Sequence, residues 1–347
     1  MAERTKLGLD EVARHAGVST ATVSNVLNRP EIVTAKTKAK VLASIEELGF
    51  VPNRAAATLR QGLSRLVGLV IPDIANPFYA EIARGVADAA DTSGFTVAVC
   101  VTGDDPEREA RQLRMLAEQR AAGALIVPIT ADQSRLRRLR AVGSRLVLVD
   151  RLASTTEGCA VAIDDVQGGR IAVDHLLSTG RSSIAMINGP ATVTQCTNRR
   201  TGARLAFEKH HRDPDSMIEY EVVDMSFDEG RELGRRLAEG PLPDAVFCIN
   251  DLLGAGLALG LHDRGVRVPD DLAIVGYGDL EPATHGIIGL TTVEQPKYEL
   301  GRAAMRMLLE ETAPGPVAHR HSTVLYTPSL IIRESAPALG TREAVSP

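Results

Sequence analysis

The sequence predicts an all-α helix-turn-helix unit at the N-terminus, followed by an α/β body of two doubly wound parallel-sheet lobes. Three observations predict it. Between residues 9 and 49, apolar residues recur at helical spacing in short stretches punctuated by Gly17, Ser19, Thr34 and Gly49. From residue 66 onward, short β-type runs alternate with helix-length stretches, the pattern of buried parallel sheets. The 347 residues also exceed what one ordinary core fills.

The first helix is set by Leu9, Val12, Ala13 and Ala16, which form one apolar face. Gly17 follows where a left-handed residue ends a helix, and Ser19 offers its hydroxyl to the free amides of the next one. In the second helix Val23, Val26 and Leu27 point inward, leaving Thr20, Ala21, Ser24, Asn25 and Asn28 outside. A third helix begins after Thr34, buries Val41, Leu42, Ile45 and Leu48, and stops at Gly49. Two helices joined by a tight turn and braced by a third form a helix-turn-helix unit.

The outer face of the second helix is short, polar and almost uncharged. A merely solvated face more often carries Glu and Lys, whereas small polar side chains fit base edges and phosphates in a major groove. Charge agrees: residues 1–62 hold nine basic and six acidic side chains, against a net −5 for the whole chain. Phe50-Val51-Pro52-Asn53 then breaks the third helix, and residues 54–60 suffice for about two turns. Leu59 is the one large apolar residue there. It reads either as a linker contact or as a wedge for a minor-groove step. Arg54, at the head of this segment, joins the DNA-contacting set.

In the body, strands are expected at Leu66–Pro72, Thr96–Thr102, Ala124–Pro128 and Leu146–Val149 for the first lobe. Those of the second are expected at Val161–Asp164, Ile184–Ile187, Tyr220–Asp224, Ala245–Ile249 and Leu272–Gly276. Ligands of such folds bind beyond the carboxyl ends of strands. That singles out Asp73–Tyr79, Asp150-Arg151, Asp164, Asn250-Asp251 and Tyr277–Asp279.

The headpiece stretch LGLDEVARHAGVSTATVSNVLNRPEIVTAKTKAKVLASIEELGFVPNRAAATLRQG closely resembles the headpiece and hinge of the LacI family of bacterial regulators. The resemblance runs on through IPDIANPFYAEIARG, LVLVDR, VFCINDLLGAG, VPDDLAIVGYGDLE, LTTVEQP and TPSLIIRES. It implies a body folded like periplasmic sugar-binding proteins, with an effector between the lobes. It further implies that Thr20, Ala21 and Asn25 read bases, that Ser24 and Asn28 touch phosphates, and that Leu59 intercalates. Phe78 and Tyr79 would flank the effector. Asp150, Arg199, Asn250 and Asp251 would contact its polar groups, and Met225 stands where sugar sensors often carry an aromatic. A lobe-core methionine is the plainer reading of Met225. The chain departs from the family at Gly276-Tyr277-Gly278-Asp279, where an Asp ordinarily stands in place of Gly278. A sugar and an anionic metabolite are both left open as effector.

The resulting expectation is a DNA-binding transcription regulator, a repressor in its simplest form, working as a homodimer on a pseudo-palindromic operator. Its parts would be a headpiece at 1–50, a hinge at 51–63, a two-lobed effector and dimerisation domain at 64–335, and a flexible tail at 336–347. No enzyme motif (G-x-G-x-x-G after a strand, G-x-S-x-G, H-E-x-x-H or a P-loop) is present. Gly254, Gly256 and Gly260 read as helix packing. The dispersed Cys100, Cys159, Cys196 and Cys248 argue against a zinc site or disulfide framework, and His210-His211 and His319/His321 read as solvated surface. No cofactor, metal site or membrane association is therefore expected. Without a signal-like N-terminus, the cytoplasm is the expected location.

Overall fold

The computed structural model describes residues 7–51, 64–103, 105–128, 145–152, 158–312 and 319–338. The chain divides into two compact units, Met1–Ser64 and Arg65–Pro347. No helix among the described residues is long and apolar enough to cross a membrane.

In the first unit α1 (Leu9–Ala16), α2 (Thr20–Asn28) and α3 (Ala35–Leu48) are each delimited by local chemistry. Glu11 folds back to accept the Gly8 amide at 2.8 Å, and the Ser19 and Thr34 hydroxyls accept the Thr22 and Thr37 amides. Gly17 and Gly49 close α1 and α3 at φ 58° and 60°, the left-handed region that glycine enters without steric cost. Val12, Ala13, Ala16, Val23, Val26, Val41 and Phe50 make the core. Leu42 departs from expectation, with 45% of its surface exposed. On α3 the inward stripe runs Val41, Ser44, Ile45, Leu48, and Leu42 lies about 100° off it. Buried Ser44 satisfies its hydroxyl on the Lys40 carbonyl.

The second unit is built of two sheets. The first comprises β1 (Leu66–Ile71), β2 (Thr96–Val101), β3 (Gly123–Ile126), β4 (Arg145–Val149), β5 (Cys159–Ile163) and β11 (Thr323–Tyr326). Their order is β11-β5-β4-β3-β1-β2, all parallel. Along β1, Val67, Leu69 and Ile71 join one apolar cluster and Val70 joins another, so both faces are covered. On one side lie α4 (Pro77–Thr92) and α11 (Lys297–Thr312), on the other α5 (Pro106–Glu118).

The second sheet comprises β6 (Ile184–Asn188), β7 (Ile218–Glu221), β8 (Ala245–Cys248), β9 (Ala273–Gly278), β10 (Thr291–Glu294) and β12 (Ser329–Ile331). It is ordered β12-β10-β9-β8-β6-β7, with only the β10–β12 pair antiparallel. Around it stand α6 (Asp165–Ser178), α7 (Thr194–Lys209), α8 (Phe227–Leu237), α9 (Asp251–His262) and the short α10 (Glu281–His285). The glycines of α9 do serve packing. A Cβ at Gly256 would lie 2.0 Å from the Phe227 carbonyl oxygen, and one at Gly260 2.1 Å from that of Arg231.

Three features differ from the sequence reading. The strand expected to open the second lobe, β5, belongs to the first sheet, and the chain changes lobes after it, at Asp164. It crosses back between β10 and α11, and a last time between β11 and β12, so each lobe is discontinuous in sequence. β9 runs on through Tyr277 and Gly278 instead of ending before them. Finally, Ala336 does not begin a flexible tail. It is buried, and its carbonyl accepts from the His175 Nε2 position at 2.8 Å and from Thr291 Oγ1 at 3.1 Å.

Candidate functional site

Burying Val23 and Val26 turns the opposite side of α2 outward. Thr20, Ala21 and Asn28 are exposed there, with Ser24 and Asn25 half-buried. Thr20 donates to Asp10 Oδ1 at 2.8 Å, and Asn28 Nδ2 donates to the Ser24 carbonyl at 2.8 Å. The Asn25 amide makes no hydrogen bond among the described residues, and α2 bears no charged side chain. An unengaged amide, donor and acceptor together, is what bidentate pairing with an adenine edge requires. Arg54 and Leu59 lie outside the described residues.

In the second unit the polar groups named from sequence meet where the lobes face each other, but they divide into two kinds. Asp164, Asn250 and Asp251 are engaged in holding the fold. Asp164 Oδ1 accepts the Gln167 amide and caps α6. Asn250 caps α9 through Oδ1 and donates Nδ2 to the Met225 carbonyl at 2.9 Å. Asp251 is wholly buried. One oxygen takes Thr292 Oγ1 at 2.5 Å and the other the Leu280 amide at 2.7 Å, which ties α9 to the ends of β9 and β10. Burial raises its carboxyl to about 6, against the lowering effect of those bonds.

The second kind is a buried network around Arg199 on α7. Its Nε donates to Asp165 Oδ1 at 2.8 Å, Nη1 donates to the Ile249 carbonyl at 2.7 Å, and the guanidinium lies 3.7 Å over the Tyr277 ring. Tyr277 in turn donates its hydroxyl to the same Asp165 oxygen at 2.9 Å. Asp150, just past β4 in the first lobe, completes the group. Gln195 Nε2, from the second lobe, donates to its carbonyl oxygen at 3.0 Å and to Oδ2 at 2.9 Å. Asp150 Oδ1 is buried with no hydrogen-bond partner among the described residues. Burial, and then the nearby charge of Asp165, raise this carboxyl to about 7 despite Arg199 and Gln195. Its φ of 57° is left-handed, a strained state concentrated at functional positions. Tyr277 falls in the run Tyr277–Asp279 that the strand ends single out, whereas Asp165 and Gln195 are not selected by the sequence reading; the acidic side chain directly beside Asp164 is the usable signal for Asp165.

The remaining candidates lie in or beside the cores of the two lobes. Phe78 is buried in the first lobe's core and Tyr79 packs at its margin, their rings 5.2 Å apart and edge-on. Met225 is half-buried against the second lobe's core, its Sδ 3.8 Å from Cys196 Sγ. Gly278 has φ 128°, a value L side chains rarely adopt, and a Cβ there would lie 3.4 Å from Asp251 Oδ2. Its backbone is thus reserved for glycine, and an added carboxylate would confront Asp251. This gives the departure at Gly278 a backbone cause. A groove of about 720 Å³ opens between Ala75–Glu81 and Asp279–Glu281, with Gln295 in its wall. The buried Gln295 Nε2 has no hydrogen-bond partner among the described residues either.

Residues 8–53 match the family model described as bacterial regulatory proteins, lacI family, and residues 173–336 match the periplasmic binding protein-like domain. The chain is 35% identical to the ribose operon repressor of Halalkalibacterium halodurans, over 88% of its own length and 91% of that protein's. It is 32% identical to the HTH-type transcriptional regulator DegA of Bacillus subtilis, over 97% of this chain and all of the relative. Among solved structures, the Lac repressor dimer bound to operator and the anti-inducer ONPF superposes with a TM-score of 0.82. That match is at 28% identity and covers 96% of this chain and 100% of the other.

Proposed function

Because this chain belongs to the LacI family of bacterial regulatory proteins, we propose that α2 reads operator bases with Thr20, Ala21 and Asn25 while Ser24 and Asn28 hold phosphates. The chain is a DNA-binding transcription regulator of the repressor type and not an enzyme. The observation that carries the reading is the outward side of α2, uncharged and carrying an unengaged Asn25 amide. Arg54 and Leu59 extend the DNA contact into the adjoining minor groove. Two copies bind the two halves of a pseudo-palindrome in the cytoplasm, because one headpiece offers few base contacts.

The effector site is the junction of Asp150, Gln195, Arg199 and Gln295, flanked by Phe78, Tyr79 and Met225. Asp164, Asn250, Asp251 and Gly278 frame it. Arg199, the one positive charge of this network, is already paired with Asp165. An anionic effector would find no unpaired cation in this network, so a neutral polyhydroxy compound fits better, its hydroxyls donating to Asp150 Oδ1 and accepting from Gln295 Nε2. Gln195 already bridges the lobes onto Asp150, so a ligand that competes for this carboxylate changes how they close.

Mobility shift with the gene's own upstream region tests the first half, and a retarded band that random DNA does not displace is expected. Absence of any shift at micromolar protein would overturn it. Thermal shift with neutral pentoses and hexoses against sugar phosphates tests the second half. Stabilisation by a sugar phosphate alone would refute the neutral effector.

A further inference from the structure

We propose that Cys159, Glu311, His319 and His321 form a binding site for one divalent transition-metal ion of zinc type. The sequence sets His319 and His321 aside as solvated surface, yet the fold brings both onto a buried thiol. His319 Nε2 lies 3.0 Å and His321 Nδ1 3.6 Å from Cys159 Sγ, with the two rings edge-on at 5.3 Å. With a Glu311 carboxylate oxygen, the four ligand atoms all fall within 4.8 Å of one another. Around tetrahedral zinc, with bonds of about 2.3 Å to sulfur and about 2.0–2.1 Å to nitrogen, neighbouring ligand atoms stand roughly 3.3–3.6 Å apart. The two Cys159–His separations already match this spacing to within tenths of an ångström, and the widest separation in the set would close by about 1 Å onto an ion.

A second observation points to a cation. Glu311 Oε2 is buried without a hydrogen-bond partner among the described residues, which a buried carboxylate does not sustain cheaply. A Cys–His hydrogen bond alone would leave that oxygen stranded, whereas an ion would engage it. Charge balances as well. When the ion binds, the Cys159 thiol gives its proton to solvent, and thiolate plus carboxylate neutralise a 2+ charge while both imidazoles stay neutral. Thiolate and imidazole select zinc, cobalt or nickel over magnesium and calcium. Four protein ligands leave no open position, so the site would sense or brace rather than catalyse.

Its place in the fold suggests what it braces. Cys159 begins β5, Glu311 sits in the last turn of α11, and His319 and His321 precede the edge strand β11. The ion would pin the end of α11 and the approach to β11 onto the sheet. That is the amino-terminal end of these parallel strands, opposite the carboxyl end of β4 where Asp150 stands. The site is thus separate from the effector junction and does not depend on its assignment.

The test uses full-length, tag-free protein stripped with a chelator, then titrated with Zn2+ by calorimetry and with Co2+ by absorption. One Zn2+ per chain is expected, and Co2+ should give tetrahedral bands with a thiolate charge-transfer band. His319→Ala should abolish saturation at concentrations that fill the wild type, while keeping its circular dichroism spectrum because that side chain is exposed. Cys159→Ser should lose the charge-transfer band. Since Cys159 is buried, His321→Ala serves as a second variant should the serine protein fail to fold. No stoichiometric Zn2+ binding by wild type, binding that survives His319→Ala with His321→Ala, or a Co2+ spectrum without the thiolate band would each overturn the proposal.

Discussion

Asp150→Asn offers the most direct test of the effector junction, because it removes a buried charge and almost nothing else. Asparagine has the same shape, and its Oδ1 still accepts from Gln195 Nε2. In the wild type the carboxyl titrates at about 7 folded, chiefly through burial, and near 3.8 in the unfolded chain. A raised folded pKa means the proton is held more tightly in the folded state. Below about pH 4 the group is neutral in both states and costs nothing. As pH rises from there the unfolded chain ionises first, and each unit costs the folded protein up to about 1.4 kcal/mol. Above pH 7 the group is charged in both states and the penalty levels off. Between pH 5 and 7 the advantage of Asp150→Asn should therefore grow by about 2–3 kcal/mol, which is roughly 3–5 °C in Tm for a unit of this size. Melting curves of both proteins at pH 5, 6, 7 and 8 read this out. A Tm difference that stays constant over that range, or a variant less stable throughout, would refute the buried and unsatisfied carboxylate. The same variant should bind the effector more weakly, since stability withheld at a binding site is commonly what the ligand recovers.

Further outcomes follow from other parts of the molecule. Asn25→Ala should relax base preference at one position of each half-site by about 1–3 kcal/mol, read by binding-site selection, and an unchanged motif would remove α2 from the reading role. Leu59→Ala should weaken operator binding and DNA bending while leaving random-DNA affinity nearly intact, because phosphate attraction dominates the latter; equal losses would make Leu59 a scaffold residue. Gly256→Ala should cost about 1–3 kcal/mol in denaturant unfolding, since its Cβ would lie 2.0 Å from the Phe227 carbonyl oxygen. A neutral effect there would mean that α8 and α9 can separate freely.

What was legible in the sequence is what depends on neighbours along the chain. Gly17, Ser19, Thr34 and Gly49 announce their helix ends because caps are local, and the helical stripe of α1 needs only eight residues of context. Leu42 misleads because hydrophobicity alone does not give a residue's phase on the helix. The run at Cys159–Ile163 reads as a strand, but nothing in an apolar run states which sheet it joins. The site divides the same way. Asn250 before a helix is already an N-cap in sequence, a competing explanation that the family pattern obscured. Asp165 and Tyr277 meet across 112 positions, and Cys159 and His319 across 160, separations over which no spacing rule operates. Asp150 is reached by its place after a strand as well as by resemblance, Arg199 by resemblance alone.

The triple crossing between the lobes bears on how the molecule comes into being on the ribosome. The first unit needs nothing beyond about residue 50 for its core and can fold as soon as it emerges. The first sheet, by contrast, has an open edge along β5 until β11 arrives at Thr323–Tyr326, and α11, which covers it, comes only just before. At roughly 5–20 residues per second, the stretch between β5 and β11 takes about 10–30 s to synthesise. Throughout that interval the nascent chain displays a finished DNA reader on an unfinished regulator. A half-made sheet edge is also a template for pairing with other chains, so this is the window in which chaperone capture would matter most.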